Sequence, residues 1–232
     1  MSSLVERWQQ VVKQVREVER SEGRAAGSVH LLAISKKHSL DQIEELYRAG
    51  QRDFGENYVQ ELVAKAQGAQ ARGLDEIRWH FVGHLQSNKI KAVLPWIDRI
   101  HSVDSASLAQ QLAKRWRELG RTTRLKVLIE VNLSSEETKT GITEATLPDL
   151  VHSIVEEKDA LELSGLMCIP AADLGEAERA FAKLASMAAQ LGIENCELSM
   201  GMTSDYGLAI RHGSTWVRVG TAIFGPRPTA AP

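Results

Sequence analysis

Short apolar runs rich in β-branched residues alternate along this chain with longer segments in which apolar residues recur every three or four positions. The short runs have the length and composition of buried strands, whereas the longer segments have the spacing of helices. The eight predicted strands cover 30–35, 53–57, 79–85, 99–104, 126–133, 162–169, 196–202 and 215–220. Strands that alternate with helices pair in parallel and leave the helices outside the sheet.

Seven helices are predicted between these strands, and an eighth precedes them, with apolar residues spaced helically from Leu4 to Val18. The seven cover 40–48, 58–71, 87–94, 105–119, 144–157, 174–191 and 206–212. This alternation predicts a single (β/α)8 barrel (TIM barrel). We expect the N-terminal helix to lie where a full eighth helix is missing. An open doubly wound sheet is the alternative, but its usual glycine fingerprint after the first strand is absent here.

Composition and charge narrow the class of protein. Apolar residues make up 43% of the 232 residues, which suits one globular domain over 1–232. The 28 basic and 30 acidic residues leave a net charge of −2, without the basic excess of nucleic-acid or anionic-membrane binders. No apolar run approaches the roughly 20 residues of a membrane span, and two cysteines do not make a disulfide framework. We therefore expect a cytoplasmic protein that binds neither nucleic acid nor membrane, and we expect a monomer because nothing in the sequence requires a dimer.

Lys36 is the most informative candidate residue. The functional residues of a (β/α)8 barrel lie at the C-terminal ends of the strands, and Lys36 follows the first strand. Desolvation at such a position lowers the pKa of a lysine, and the neutral amine forms a Schiff base with a carbonyl. The simpler interpretation is a solvated loop lysine, since Lys37 is adjacent.

Small residues end the last two strands. The seventh strand ends in Ser199, Met200 and Gly201, and the eighth ends in Gly220 and Thr221. Barrels often bind phosphate with backbone N–H groups from these two loops, and small residues allow the close approach. The simpler interpretation is that the glycines only end the strands.

A reactive lysine and a phosphate site are together the two features that hold pyridoxal 5′-phosphate (PLP). Arg218, on the eighth strand, is placed to face the pyridine nitrogen of such a cofactor. An arginine cannot accept a proton and opposes protonation of the ring, which makes the ring a weaker electron sink. A surface ion pair is the simpler interpretation of Arg218.

Several motifs, in order along nearly the whole chain, closely resemble the pyridoxal phosphate homeostasis protein family. They are LLAISK (31–36), FGENYVQE (54–61), WHFVGHLQSNK (79–89), GLMCIP (165–170), LSMGM (198–202) and VRVGTAIFG (217–225). The chain departs from the family in small ways: His84 stands where the family often has proline, and Thr203 where it often has serine.

The resemblance implies a barrel like the N-terminal domain of alanine racemase, with PLP attached covalently, as an imine, to Lys36. It implies that Asn57 lies beside the ring and Arg218 faces its nitrogen. It further implies that Ser199, Gly220 and Thr221 hold the phosphate, and we count Met200 and Gly201 of the loop after the seventh strand among the cofactor-binding residues. The family is thought to buffer and deliver PLP, with PLP-dependent apo-enzymes as recipients, and it lacks a well-established catalytic activity.

A PLP-dependent amino-acid racemase is the alternative function. Racemisation needs a base on each face of the Cα, and in alanine racemase the second base is a tyrosine from the C-terminal β domain of a partner subunit. We expect no such domain here, and the sequence places none of Tyr47, Tyr58 and Tyr206 on the far face of a ring. We therefore favour a carrier without catalytic residues.

Three further candidates are weaker. A phosphosugar aldolase would also use a lysine and a phosphate site, but it leaves the resemblance unexplained. Lys139, in the loop after strand five, is a candidate second amine that takes over the cofactor. His80 and His84 are about 13 Å apart if both lie on one strand, so we expect no metal site. Cys168 and Cys196 are expected at opposite ends of neighbouring strands, which predicts no disulfide.

Overall fold

The computed structural model describes residues 2–134 and 140–226, and within these ranges eight parallel strands form a closed barrel. Each strand pairs with the next, and β8 pairs with β1 to close the barrel. The predicted fold is therefore confirmed, with every strand within a few residues of its expected place. The strands are β1 (His30–Ile34), β2 (Asp53–Glu56), β3 (Arg78–Phe81), β4 (Arg99–Val103), β5 (Leu125–Glu130), β6 (Leu161–Met167), β7 (Glu197–Ser199) and β8 (Trp216–Val219).

The helices surround the barrel, and most follow the predicted segments. Ser39 caps α2 through its side chain, which accepts a hydrogen bond from the Gln42 N–H. The helices are α1 (Leu4–Ser21), α2 (Leu40–Arg48), α3 (Val59–Ala71), α4 (Ile90–Val93), α5 (Ala106–Glu118), α6 (Leu147–Glu156), α7 (Leu174–Gln190), α8 (Tyr206–Arg211) and α9 (Thr221–Phe224). None of the described helices is long and apolar enough to cross a membrane.

The connection between β3 and β4 differs from the single helix predicted over 87–94. It consists of a 3-10 turn (Ser87–Lys89), the short α4 and a second 3-10 turn (Leu94–Trp96). Pro95 lies in the second turn and has no N–H to continue a regular helix, which explains why α4 ends early.

Helix α1 packs where the barrel lacks a full eighth helix, as expected. The helix after β8, α9, has only four residues, and α1 packs against α9, α8 and α2. Trp8 Nε1 donates to Gln51 Oε1 at 2.9 Å, and Arg7 Nε donates to the carbonyl of Ile223 at 2.7 Å. Burial of Val11 and Val15 completes this contact. The N-terminal helix is therefore part of the barrel wall.

The barrel interior is unusually polar. The core between strands and helices is apolar, and among the described residues Leu32, Ile34, Val82 and Trp216 form a second, small hydrophobic cluster. The interior also holds several buried polar and charged side chains, whereas branched apolar residues usually dominate in such barrels. The polar and charged side chains are Asp53, His80, Arg99, His101, Ser199 and Arg218.

Candidate functional site

A cavity of about 460 Å³ opens at the C-terminal ends of the strands, the end where barrels carry their functional sites. This volume is ordinary for a cofactor-sized molecule. Strands β1 and β8 and the segments that follow β1, β2, β3, β6, β7 and β8 contribute to the wall. The lining residues are Ile34, Lys36, Asn57, Val82, Ile169, Met202, Thr203, Ser204, Arg218, Gly220 and Thr221.

Lys36 lies just beyond β1 at the mouth of the barrel, and its side chain is partly buried in this wall. The preceding residue, Ser35, is fully buried and continues the β1–β2 pairing through its N–H to the Gly55 carbonyl. The following residue, Lys37, is exposed and has a left-handed φ of 64°, so the chain turns sharply there. Of these adjacent lysines, only Lys36 lines the cavity.

The segment that carries Lys36 is held on both sides by charged side chains from β2 and α3. Lys65 Nζ donates to the carbonyl of Ser35 at 2.7 Å, and the Ser35 hydroxyl donates to Glu56 Oε1 at 2.6 Å. On the other side, Glu61 Oε2 accepts the backbone N–H of Lys37 at 2.8 Å. These bonds restrain the backbone at the attachment point of the Lys36 side chain.

Arg218 is inside the barrel, not in a surface ion pair. It is 4% exposed and donates from Nη1 to the carbonyl and hydroxyl of Ser199 and from Nη2 to the carbonyl of Cys168. Three of the five guanidinium N–H groups are used in this way, which leaves the Nε–H and one Nη2–H for a ligand within the described structure. Burial lowers the pKa of Arg218, opposed mainly by the nearby Cys168 and Glu130.

The two loops expected to hold phosphate both reach the cavity, but partly through different residues. Gly220 and Thr221 line the cavity, as does the next part of the β7 loop, Thr203 and Ser204. The sequence analysis did not single out Thr203 and Ser204 as residues of the site. The sequence does contain a signal for these two residues. They are adjacent hydroxyl residues, and they directly follow the end of a strand whose loop was predicted to bind phosphate.

Ser199, Met200 and Gly201 lie deeper than the cavity wall. The Ser199 hydroxyl bonds to His101 and Arg218, and the Met200 side chain is fully buried in the hydrophobic core. Gly201 has a φ of +92°, and a Cβ there would lie 2.6 Å from the Ala209 Cβ, so the turn requires glycine. Direct contact of these three residues with phosphate stays a prediction.

Asn57 follows β2 and lines the cavity as expected. Its Oδ1 is buried and has no hydrogen-bond partner among residues 2–134 and 140–226, an arrangement that usually signals a ligand or water. Gly83 packs on the Asn57 backbone so closely that a Cβ would lie 2.2 Å from the Asn57 carbonyl oxygen. The cavity as a whole fits a phosphorylated aromatic aldehyde such as PLP. It offers the amine of Lys36, the amide oxygen of Asn57, two N–H groups of Arg218 and an apolar wall.

The remaining sequence candidates separate in space. His84 pairs with Asp104 near the surface at 3.0 Å, whereas His80 is fully buried beside His101. No His, Cys, Asp and Glu group that could hold a metal is found in the described part of the chain. Cys168 and Cys196 are both free. Lys139 lies outside the described residues.

Comparisons with known proteins agree with this geometry. The alanine racemase N-terminal domain family matches residues 9–228 of the chain. A pyridoxal phosphate homeostasis protein of Vibrio alginolyticus is 43% identical over 98% of this chain and 99% of its own length. Proteins of that name from Escherichia coli K12 and Bos taurus are 43% and 42% identical over 88% and 85% of this chain, and over 88% and 77% of their own lengths.

Solved structures show the same similarity. PipY of Synechococcus elongatus with PLP bound is 36% identical over 96% of this chain and all of its own, with a TM-score of 0.82. Alanine racemase of Corynebacterium glutamicum, at 18% identity and a TM-score of 0.66, shares the fold over 96% of this chain and 62% of the racemase. The chain therefore belongs to the pyridoxal phosphate homeostasis protein family, on an alanine racemase N-terminal barrel.

Proposed function

We propose that this protein binds PLP at the mouth of its barrel, attached as an imine to Lys36, and that it buffers and delivers the cofactor. The observation that carries the proposal is one cavity lined by Lys36, Arg218 and the small-residue loops after β7 and β8. PipY, which shares 36% identity with this chain, has been solved with PLP bound.

In this proposal, the residues that line the cavity contact different parts of PLP. Lys36 supplies the amine, and the spare N–H groups of Arg218 face the ring nitrogen. Asn57 lies beside the ring, with its buried acceptor available to a ring substituent. The phosphate is held by Gly220, Thr221 and the β7 loop. PLP supplies an aldehyde that condenses reversibly with amines, so a carrier can later pass it to the lysine of a recipient apo-enzyme.

We propose that the protein is not a catalyst. Racemisation needs a second base across the ring from Lys36, and the three tyrosines of the chain lie elsewhere. Tyr47 packs under Arg52 on the outside of the barrel, Tyr58 is half exposed, and Tyr206 bonds to Gln14 of α1. Arg218 also opposes protonation of the ring, which weakens stabilisation of a carbanion.

We propose a cytoplasmic monomer. The free Cys168 and Cys196 suit a reducing compartment. The large hydrophobic side chains most exposed within the described structure are few, whereas an interface is usually marked by a large continuous apolar patch. They are Tyr58, Leu119, Val155 and Leu174.

The test is the absorbance spectrum of the purified protein with added PLP, followed by borohydride reduction and mass mapping, beside Lys36→Ala and the control Lys37→Ala. We expect a yellow imine band in the wild type and in Lys37→Ala, with the reduced adduct on Lys36. We expect Lys36→Ala to lose both. A wild type that takes up no PLP overturns the proposal and leaves the phosphosugar alternative. Steady racemisation of an amino acid by the loaded protein overturns the carrier role alone.

A further inference from the structure

Four side chains inside the barrel link its floor to Arg218 through an unbroken series of hydrogen bonds. Asp53 Oδ1 lies 3.1 Å from His80 Nε2, and His80 Nδ1 lies 2.9 Å from His101 Nε2. His101 Nδ1 lies 2.8 Å from Ser199 Oγ, which in turn lies 2.9 Å from Arg218 Nη1. The series crosses strands β2, β3, β4, β7 and β8 and ends at the cavity. We call these five residues the interior chain.

The two ends of the interior chain impose one direction on it. Arg218 can only donate hydrogen bonds, and an ionised Asp53 can only accept them. Burial alone raises the pKa of Asp53, but hydrogen bonds from His80 and Arg78 outweigh it and hold this pKa well below its usual value. Arg78 binds Asp53 through two N–H groups, at 2.7 and 2.6 Å. Asp53 is therefore an anion at neutral pH.

The two imidazoles between these ends are neutral. Burial lowers the pKa of His80, opposed mainly by Asp53, and burial lowers the pKa of His101 further. A neutral imidazole has one donor and one acceptor. Given the anion at one end, each ring must therefore donate from Nε2 toward Asp53 and accept at Nδ1. Ser199 then donates to His101 and accepts from Arg218.

We propose that Asp53, His80, His101 and Ser199 form a directional hydrogen-bond chain that positions the Arg218 guanidinium for the ring nitrogen of the cofactor. The four are positioning residues, and this inference rests on the proposed function. Ser199 is thereby assigned to the orientation of Arg218. The interior chain also links the buried cation of Arg218 to the carboxylate of Asp53, although no carboxylate touches Arg218 within the described structure.

Packing helps to keep the rings in place. Trp216 lies against both imidazoles, with ring centroids 4.8 Å from His80 and 5.8 Å from His101. A second interior pair, Arg99 with Glu197, lies close by and is not part of the interior chain. It offers a matched control, because its loss disturbs the same barrel interior without breaking the link to Arg218.

The first experiment needs no cofactor. Imidazole nitrogen chemical shifts of the apo protein, recorded by NMR at neutral pH, report the protonation of each ring. We expect both His80 and His101 to be neutral with the proton on Nε2. A proton on Nδ1 of either ring, or a charged imidazolium, overturns the direction of the chain whether or not the protein binds PLP.

The second experiment compares His101→Leu, His101→Gln and Glu197→Gln. An amide carries a donor and an acceptor, as a neutral imidazole does, so His101→Gln can restore the chain whereas leucine cannot. We expect His101→Leu to release PLP roughly tenfold faster than the wild type, with a changed absorbance of the bound cofactor. His101→Gln should recover most of the difference, and Glu197→Gln should release PLP at nearly the wild-type rate.

The thermal midpoint of each apo variant separates positioning from packing. The proposal is wrong if the rate of PLP release follows the thermal midpoint of the apo protein across all three variants. It is also wrong if His101→Leu and His101→Gln release PLP at the same rate. In either case the interior chain only supports the fold. If the wild type itself forms no adduct on Lys36, the proposed function fails, and the NMR result then decides the direction of the interior chain by itself.

Discussion

Lys65 on α3 and Glu56 on β2 form a buried ion pair, with Lys65 Nζ 2.6 Å from Glu56 Oε1. The Glu56 side chain is fully buried and that of Lys65 is 10% exposed, so the pair lies between the barrel and its outer helix. Burial raises the pKa of Glu56, and the contacts with Lys65 and Ser35 oppose that rise. Lys65 also donates to the carbonyl of Ser35, the residue before Lys36. The ion pair therefore helps to hold the backbone that carries Lys36.

Lys65→Met should destabilise the protein by about 3–5 kcal/mol, because it leaves a buried carboxylate without its partner. The free energy of unfolding in urea measures this. The double replacement Lys65→Met with Glu56→Leu should recover much of the loss, since it removes the unpaired charge. If Lys65→Met were as stable as the wild type, Lys65 and Glu56 would not form a buried ion pair. We also expect slower imine formation at Lys36 in the single variant.

Asp53→Asn should reduce stability at neutral pH by roughly 2 kcal/mol. The pKa of Asp53 is lowered in the folded state, so its contribution is present above the unfolded value of about 3.9 and is lost as pH falls toward the lower folded value. The difference between wild type and variant in the free energy of unfolding, measured in urea, should therefore shrink as the pH falls from about 5 to about 3. Asp75→Asn, at an exposed position, is the control. A difference that stays constant over this range would disprove the assignment.

Thr203→Val should weaken binding of PLP roughly tenfold while changing the binding of unphosphorylated pyridoxal little. Thr203 lines the cavity in the β7 loop, where its hydroxyl is available to a phosphate. Equilibrium titrations with the two ligands measure both affinities. Ile169→Val, which trims the same cavity in its apolar wall, should affect the two ligands equally. Equal losses for both ligands in Thr203→Val would remove Thr203 from the phosphate site.

Thiol reagents should modify Cys196 in the folded protein and Cys168 only after unfolding. Cys168 is fully buried, and burial raises the pKa of its thiol to about 12, so the reactive thiolate is scarce at neutral pH. Cys196 is partly exposed, although burial raises its pKa too. Mass mapping after iodoacetamide treatment, with and without urea, distinguishes the two. Cys196→Ser should abolish the folded-state labelling, and early labelling of Cys168 would show that β6 opens readily.

The alternation of apolar runs and helical segments was sufficient to predict the barrel and the end that carries the site. Strand and helix periodicities are local properties of a sequence, and a closed parallel sheet brings all its C-terminal strand ends together. That is why Lys36 and Arg218, which are far apart along the chain, could both be assigned to one cavity. The bounds of α2, from Leu40 to Arg48, agree with the predicted segment, and Ser39 caps the start of this helix.

Other features depended on how the strands pair and where the loops turn. The strand spacing predicted that His80 and His84 share no metal ion, but it did not indicate that His80 bonds to His101 on the neighbouring strand and to Asp53 on β2. Contact of Ser199 with phosphate stays a prediction, because its hydroxyl bonds to His101 and Arg218 inside the barrel and the loop reaches the cavity wall at Met202. The sequence by itself determined which residue types occur at each strand end. Only the tertiary structure decided which of them share a cavity and which share the barrel interior, because that choice depends on the register between strands that are distant in the chain.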